Sequence, residues 1–469
     1  MAAIPRARAE TNIAAIIFLG AWAALIGVTP DIRTKLLIAA PVLLGALLWW
    51  TVLGAQRWLG LFFACLILLP PVPFPIGNAG AHVAPLFALI GLLIGLLRAN
   101  EWRKSQSSLP LLLGIFLLVL IESLASAALY SGWLVALGSL LRILLFATSV
   151  YVFLYTLNGP GISESDPMAF ARLLFRIGIV GALFACVDFY WQLPAPAGYG
   201  AQFVWLEEGV FRRAQGLFYE ASTLGNFCAF FLVMILVAFV RPKNEERICS
   251  RAALAVGGVI FSIALIFSYS RASMVAVAVA GCAFVYVRRL RIRRVLIVFS
   301  ASLAAAVLTV RFAFPAFSSS YWTRIEGSFQ YFSSSPNGVL SGRLSSWGRL
   351  TDFLLQHPWH AILGIGYKTI PYSDYVGSGL VADNTYLSLL IETGVVGLLA
   401  FVLLNVAILR TAFRAARSPR SRASFFGTWI FCFWSGEIVQ MFSGDLITYW
   451  RVLPLYFWVL ATAAREYAE

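Results

Sequence analysis

Arg213, Arg271 and Arg343 stand in FRRAQGLFYEASTLGN, FSYSRASMVA and SGRLSSW, each at the edge of an apolar run. A guanidinium matches phosphate oxygens two at a time, keeps its proton, and gains strength where the dielectric falls. Three such groups at one boundary can hold a diphosphate without a metal, whereas any one alone reads equally well as a solvated anchor. Four carboxylates accompany them: Asp383 before TYLSLLIETGVVG, Glu220 beside the Arg213 motif, Asp445 in SGDLITYW, and Glu392 two turns into its apolar run. Displacing a diphosphate needs stabilised leaving-group charge and a base for the incoming hydroxyl. The arginines supply the first, and Asp383, with Glu220 and Asp445 behind it, supplies the second; Asp383 also suits a helix cap.

The remaining polar types are weaker pointers. His357 sits in HPWH at the end of a helical pattern, where helix-end packing competes with a catalytic part, and His360 and His82 have no partner pattern. No pair of side chains has ligand spacing on one helix face, so neither a metal nor a cofactor is assigned. Asn384 caps or orients. Tyr367, Tyr372 and Tyr375, near Gly364, Gly366, Gly377 and Gly379, offer ring faces suited to sugars or to the membrane interface.

The elements that must position these groups follow from composition. In 469 residues, 60% are hydrophobic and 12% charged, with a mean hydropathy of +0.84. These values exceed the soluble norm and predict an all-α polytopic membrane protein. At ~20 apolar residues per crossing there are about fourteen spans. They run from 12–29 to 295–311 and resume at 384–409, 424–442 and 450–464. The predicted organisation is transmembrane helices over 1–311, a polar extracytoplasmic loop over 312–383, and C-terminal transmembrane helices over 384–469. Within the loop, Leu344, Trp347, Leu350 and Leu354 recur at helical spacing before Pro358, which predicts an amphipathic helix over 341–356 with Ser341 as its cap.

The net charge of +14 falls in short clusters between apolar runs, the pattern of loop orientation rather than of nucleic-acid binding. Lysine and arginine concentrate on one side of a single alternation, which places both termini in the cytoplasm and the long loop outside. The six cysteines show no disulfide or zinc spacing.

RAQGLF, SYSRA, SGRLSSW, HPWHAILGIGY and ADNTYLSLLIETGVVG follow one another on one face. In this order the chain resembles the O-antigen polymerase and O-antigen ligase superfamily of bacterial envelope glycosyltransferases, over roughly 213–397. The resemblance implies a GT-C-like membrane glycosyltransferase of the bacterial inner membrane with its active site facing the periplasm. Its donor would be an undecaprenyl-diphosphate-linked oligosaccharide and its acceptor another glycan or lipid A core, with no cofactor. It also implies membrane lipid, a chain-length regulator and export machinery as partners. Arg213 and Arg271 would engage the diphosphate, and Arg343 would belong to the loop that closes over the donor. Ligases of this superfamily commonly carry histidine before the asparagine where this chain reads Asp383-Asn384. The departure favours a polymerase of exopolysaccharide, capsule or O-antigen, with a ligase and a lipid-linked oligosaccharide flippase or transporter as the alternatives.

Overall fold

The computed structural model describes residues 56–72, 82–103, 107–162, 166–193, 200–206, 209–242, 245–289, 292–313, 315–331, 342–377 and 379–468, with isolated positions among 22–54 and 334–337. The expected spans at 12–29 and 36–54, and the expected cap Ser341, lie outside the described residues apart from those isolated positions. The chain divides into two compact units, Met1–Trp58 and Leu59–Glu469, and the candidate site lies wholly in the second.

Helices α1 (Arg57–Leu68), α2 (Ala84–Leu97), α3 (Leu109–Ser131), α4 (Trp133–Asn158) and α5 (Pro167–Trp191) come first. The hairpin β1 (Phe203–Leu206) and β2 (Gly209–Arg212) leads to α6 (Ala221–Val240), α7 (Arg251–Phe267), α8 (Arg271–Arg288) and α9 (Ile292–Ala313). Then follow α10 (Pro315–Gln330), α11 (Arg343–Gln356), α12 (His360–Leu363), α13 (Thr385–Ala416), α14 (Ser421–Gln440) and α15 (Leu453–Ala468). Six of these, α3, α4, α5, α6, α8 and α13, are long and apolar enough to cross a membrane. In lipid a helix is the answer to a run of Leu, Ala, Val and Phe, because its backbone groups pair within the segment. The starts are marked in sequence: Asp166 accepts from the backbone N–H of Met168 and Ala169 with Pro167 next, and Ser250 accepts from that of Ala253.

Helices α6, α14 and α15 are buried on nearly every side and form the centre, while α3 and α4 bury one face and leave the other apolar and outward. Small residues let the central helices approach. Gly225 of α6 lies against Ser270 and Ser273 of α8, and Gly436 of α14 lies against the Ala276 backbone. Polar side chains tie the same helices: Asn226 donates to Glu437 at 2.7 Å, Gln440 to Ser273 at 3.3 Å, and Tyr456 to Asn226.

Two features depart from a simple bundle. The hairpin pairs antiparallel, Phe203 opposite Arg212, inside an otherwise helical fold. The other is a break in α13 at Gly394, where φ is 70°. There the N–H groups of Ile365 and Gly366 donate to the carbonyls of Ile391 and Glu392, at 3.0 and 2.9 Å, so groups freed by the break are paired by the loop. A Cβ at Gly394 would strike the Ile362 carbonyl, and one at Gly364 the Glu392 carbonyl. Gly364 and Gly366 are thus points where backbone meets backbone, Gly366 against Ala127.

The expected amphipathic helix is α11, starting at Arg343 after Gly342 in a left-handed conformation (φ 80°). Its Leu350 and Phe353 are buried with Ile365, Ile370 and Ile391. Helix α10 was not anticipated, because its Ser- and Thr-rich sequence has weak apolar periodicity.

Candidate active site

A cavity of about 410 Å³ opens where the N-terminal ends of α6, α11 and α13 meet the 441–452 connection. Arg142, Arg213, Glu220, Arg343, Lys368, Tyr372, Asp383, Glu392, Asp445 and Tyr449 are among its lining residues. Five residues named from sequence, Arg213, Arg343, Glu220, Asp383 and Asp445, thus meet in one space although they span 213–445.

Each is placed by its element. The hairpin delivers two adjacent arginines to different tasks: Arg212 pairs with Asp188 at 3.1 Å, and Arg213 turns to the cavity. Arg213 Nε donates to the Ser268 carbonyl at 2.9 Å, and its own backbone N–H to Gln202 at 2.8 Å. Burial pushes the Arg213 guanidinium below its usual value; Tyr449 and Glu220 pull it back up, and Arg343 and Arg271 push it down. Arg213 therefore feels both other arginines, with Arg271 standing as first residue of α8 outside the lining of the cavity. Arg343 Nε lies 3.4 Å from Asp383 Oδ2, both partly exposed. Such a pair contributes at most about 1 kcal/mol, so an arriving anion separates it at little cost.

Asp383 has φ 42°, a left-handed conformation that aspartate tolerates. The cap of α13 is its neighbour: Asn384 Oδ1 accepts from the N–H of Tyr386 and Leu387 at 3.0 and 3.1 Å. Asp383 is thereby left to face the cavity. Glu220 precedes α6 and accepts from Thr223 at 2.6 Å. Its carboxyl is pushed up by burial, pulled back by Thr223 and Arg213, and raised again by Asp383.

Sequence reasoning gave Arg142 and Lys368 no role and left Tyr449 unnamed. Arg142, midway along apolar α4, donates to the Lys368 carbonyl and to the Tyr372 hydroxyl, both at 2.9 Å, and stacks on that ring. An arginine inside an apolar run was the available signal. Lys368, with φ 57°, forms ion pairs with Asp445 and, at 3.9 Å, with Glu392. Burial pushes the ammonium down to about 8, Glu392 raises it and Arg142 lowers it; the Asp445 contact acts in the sense of Glu392. Asp445 Oδ1 is buried without a hydrogen-bond partner. Tyr449 is buried, and its hydroxyl is pushed above the usual range by burial first and then by Glu220.

Of the supporting residues named from sequence, His357, Tyr367 and the cap Asn384 lie off the cavity lining, as does His360. His357 ends α11 and packs on Phe353 and Tyr375, with ring centres 5.1 and 5.4 Å apart. His360 contacts the Tyr375 hydroxyl at 3.0 Å. Tyr367 is buried under Lys368, its carbonyl accepting from Ser139 at 2.5 Å. Among the described residues no three His, Cys, Asp or Glu side chains gather to hold a metal.

A cavity lined by four cations and bordered by the N-terminal ends of three helices, whose dipoles add partial positive charge, is suited to a multiply charged anion. The family model described as O-antigen ligase matches residues 256–402. That match bears out, over this stretch, the resemblance to the O-antigen polymerase and ligase superfamily, and with the six long apolar helices it indicates a multi-pass membrane protein that carries a ligase- or polymerase-like region. The matched stretch holds Arg271, Arg343, Lys368, Asp383 and Glu392, while Arg213, Glu220, Asp445 and Tyr449 lie outside it. A comparison with curated proteins finds no match.

Proposed function

We propose that the cavity grips the diphosphate of a polyprenyl-linked oligosaccharide and that the chain joins repeat units as an inverting membrane polymerase without a metal. The observation that carries this reading is the gathering of Arg142, Arg213, Arg343 and Lys368 around one cavity with four carboxylates. In this reaction the leaving diphosphate gathers charge as the sugar departs. The Arg213 guanidinium, already fixed by the Ser268 carbonyl, stabilises it without reorganising, and Arg343 turns to it from the weak pair with Asp383. Asp383 and Glu220 are the carboxylates beside the arginines, and one of them takes the acceptor's hydroxyl proton. Asp445 is neutralised by Lys368 and sits second in line.

Aspartate rather than histidine before Asn384 supports polymerase over ligase. About fourteen crossings, cytoplasmic termini and a site facing the periplasm belong to the same proposal. Deleting the gene and examining surface glycan tests it. Single repeat units in place of polymer are expected. Free lipid-linked polymer would instead indicate a ligase, and precursor held on the cytoplasmic face a flippase.

A further inference from the structure

Beside the cationic cavity lies a second one of about 300 Å³, and Gln202, Glu220, Thr448 and Tyr449 line both. That volume is at the lower end for small-molecule sites. The chemistry of the second chamber differs from that of the first. Its walls carry Phe218, Tyr219, Trp450 and His82, with Gln202, Thr223 and Thr448 between them.

Its two basic side chains are both occupied. His82 Nε2 donates to the Leu69 carbonyl at 3.1 Å, and His82 Nδ1 accepts from the Ala84 N–H at 3.0 Å. Burial first, and Arg451 second, hold the imidazole down to about 4, so it stands as a neutral ring, 5.6 Å from Trp450. Arg451 donates to the carbonyls of Leu66, Leu69 and Leu217 and lies over the Phe218 ring. Glu220, on the shared wall, is the carboxylate of this chamber. Ring faces edged by amides and hydroxyls suit an uncharged polyol with an apolar face, which is a sugar ring, and do not suit an anion.

We propose that this second chamber is the acceptor glycan subsite, stacking the acceptor's terminal sugar on Trp450 and Tyr219. The inference rests on the diphosphate reading of the neighbouring cavity. The acceptor hydroxyl then meets the donor at Glu220. Its oxygen bonds to the anomeric carbon as the carbon–oxygen bond to the diphosphate breaks. The proton passes to the Glu220 carboxylate, and the electron pair leaves on the diphosphate held by Arg213 and Arg343. The two-chamber geometry therefore favours Glu220 over Asp383 as base, since Asp383 borders only the cationic side.

The test uses the full-length protein in nanodiscs with three probes. These are undecaprenyl diphosphate, the lipid-linked single repeat unit isolated from the deletion strain, and the free oligosaccharide released from it by mild acid. Trp450→Ala is expected to weaken the free oligosaccharide and the lipid-linked unit at least tenfold and to leave undecaprenyl diphosphate within twofold. Trp450→Phe, which keeps a ring face, is expected to restore most of the loss, which a merely misfolded protein would not do. Arg213→Ala should weaken undecaprenyl diphosphate, so failure of the anion reading is scored separately. Unchanged binding of both glycan probes to Trp450→Ala overturns the subsite. A loss confined to the lipid-linked unit overturns it as an acceptor site.

Discussion

At the scale of single residues, the useful distinction is between charges with a structural partner and charges turned to a cavity. Arg212 and Arg213 are adjacent and identical in type, yet one closes on Asp188 and the other lines the site. Arg271 and Arg343 both stand first in a helix, where a cation opposes the dipole by about 0.3–1 kcal/mol. An arginine kept at such a position is better explained by an anion than by stability. Arg343, which also lines the cavity, gives the test: Arg343→Ala should abolish polymer and Arg343→Lys should retain about a hundredth of it, because a point charge cannot replace a fork; normal chain length in both variants would refute this. The titrating groups predict a bell-shaped pH dependence of transfer. With the Glu220 carboxyl raised, its basic form is lost as pH falls while still above the ordinary value of 4.5. Lys368, lowered to about 8, loses its charge as pH rises through that value and leaves Asp445 and Glu392 unpaired. Transfer rates measured from pH 4 to 10 should show both limbs, and Lys368→Met should remove the alkaline one. Sequence alone pointed to Arg213, Glu220, Asp383 and Asp445, because charge beside an apolar run is conspicuous. Tyr449 escaped notice, since a tyrosine at a membrane edge has an ordinary explanation in the interface.

Among the elements, the apolar runs marked most helices to within a few residues: 295–311 was expected where Ile292–Ala313 is found, and 424–442 where Ser421–Gln440 is found. Long apolar segments carry their own hydrogen bonds, so their positions are a local property of the chain. The break in α13 was not legible. It depends on Ile365 and Gly366 reaching Ile391 and Glu392, a pairing for which neither segment has a local signal. The break has a purpose in the geometry, since it holds Glu392 beside Lys368 at the cavity wall. Gly394→Ala would place a Cβ against the Ile362 carbonyl in a left-handed backbone, at a cost of about 1–3 kcal/mol for the conformation before the clash is counted. A melting temperature in detergent several degrees below the parent is expected. Equal melting would mean that the loop does not rest in the break. Gly379→Ala, at φ 81° with open space around it, should show only the conformational part of that loss.

For the molecule as a whole, the helices carry different chemistry at their two ends. At the end opposite the cavities, Arg241 bridges Glu245 and Ser421, Arg422 meets Glu246 at 3.0 Å, and Arg420 donates to the carbonyls of Glu466 and Tyr467. These contacts tie Arg241, Glu245 and Glu246, and the end of α15, to the start of α14. At the cavity end, Arg213 and Arg343 line the space that a ligand would fill. This asymmetry makes the orientation of the bundle decisive, because a lipid-linked repeat unit is polymerised only on the face where its sugars are displayed. In a protein stripped of its native cysteines, Asp374→Cys, exposed in the loop beside the cavity, should react with a membrane-impermeant maleimide in intact spheroplasts. Ser418→Cys, between α13 and α14, should react only after permeabilisation. The reverse pattern would turn the cationic cavity toward the cytosol, where nucleotide-linked sugars are the available donors, and the diphosphate reading would then have to be given up together with the glycan subsite built on it.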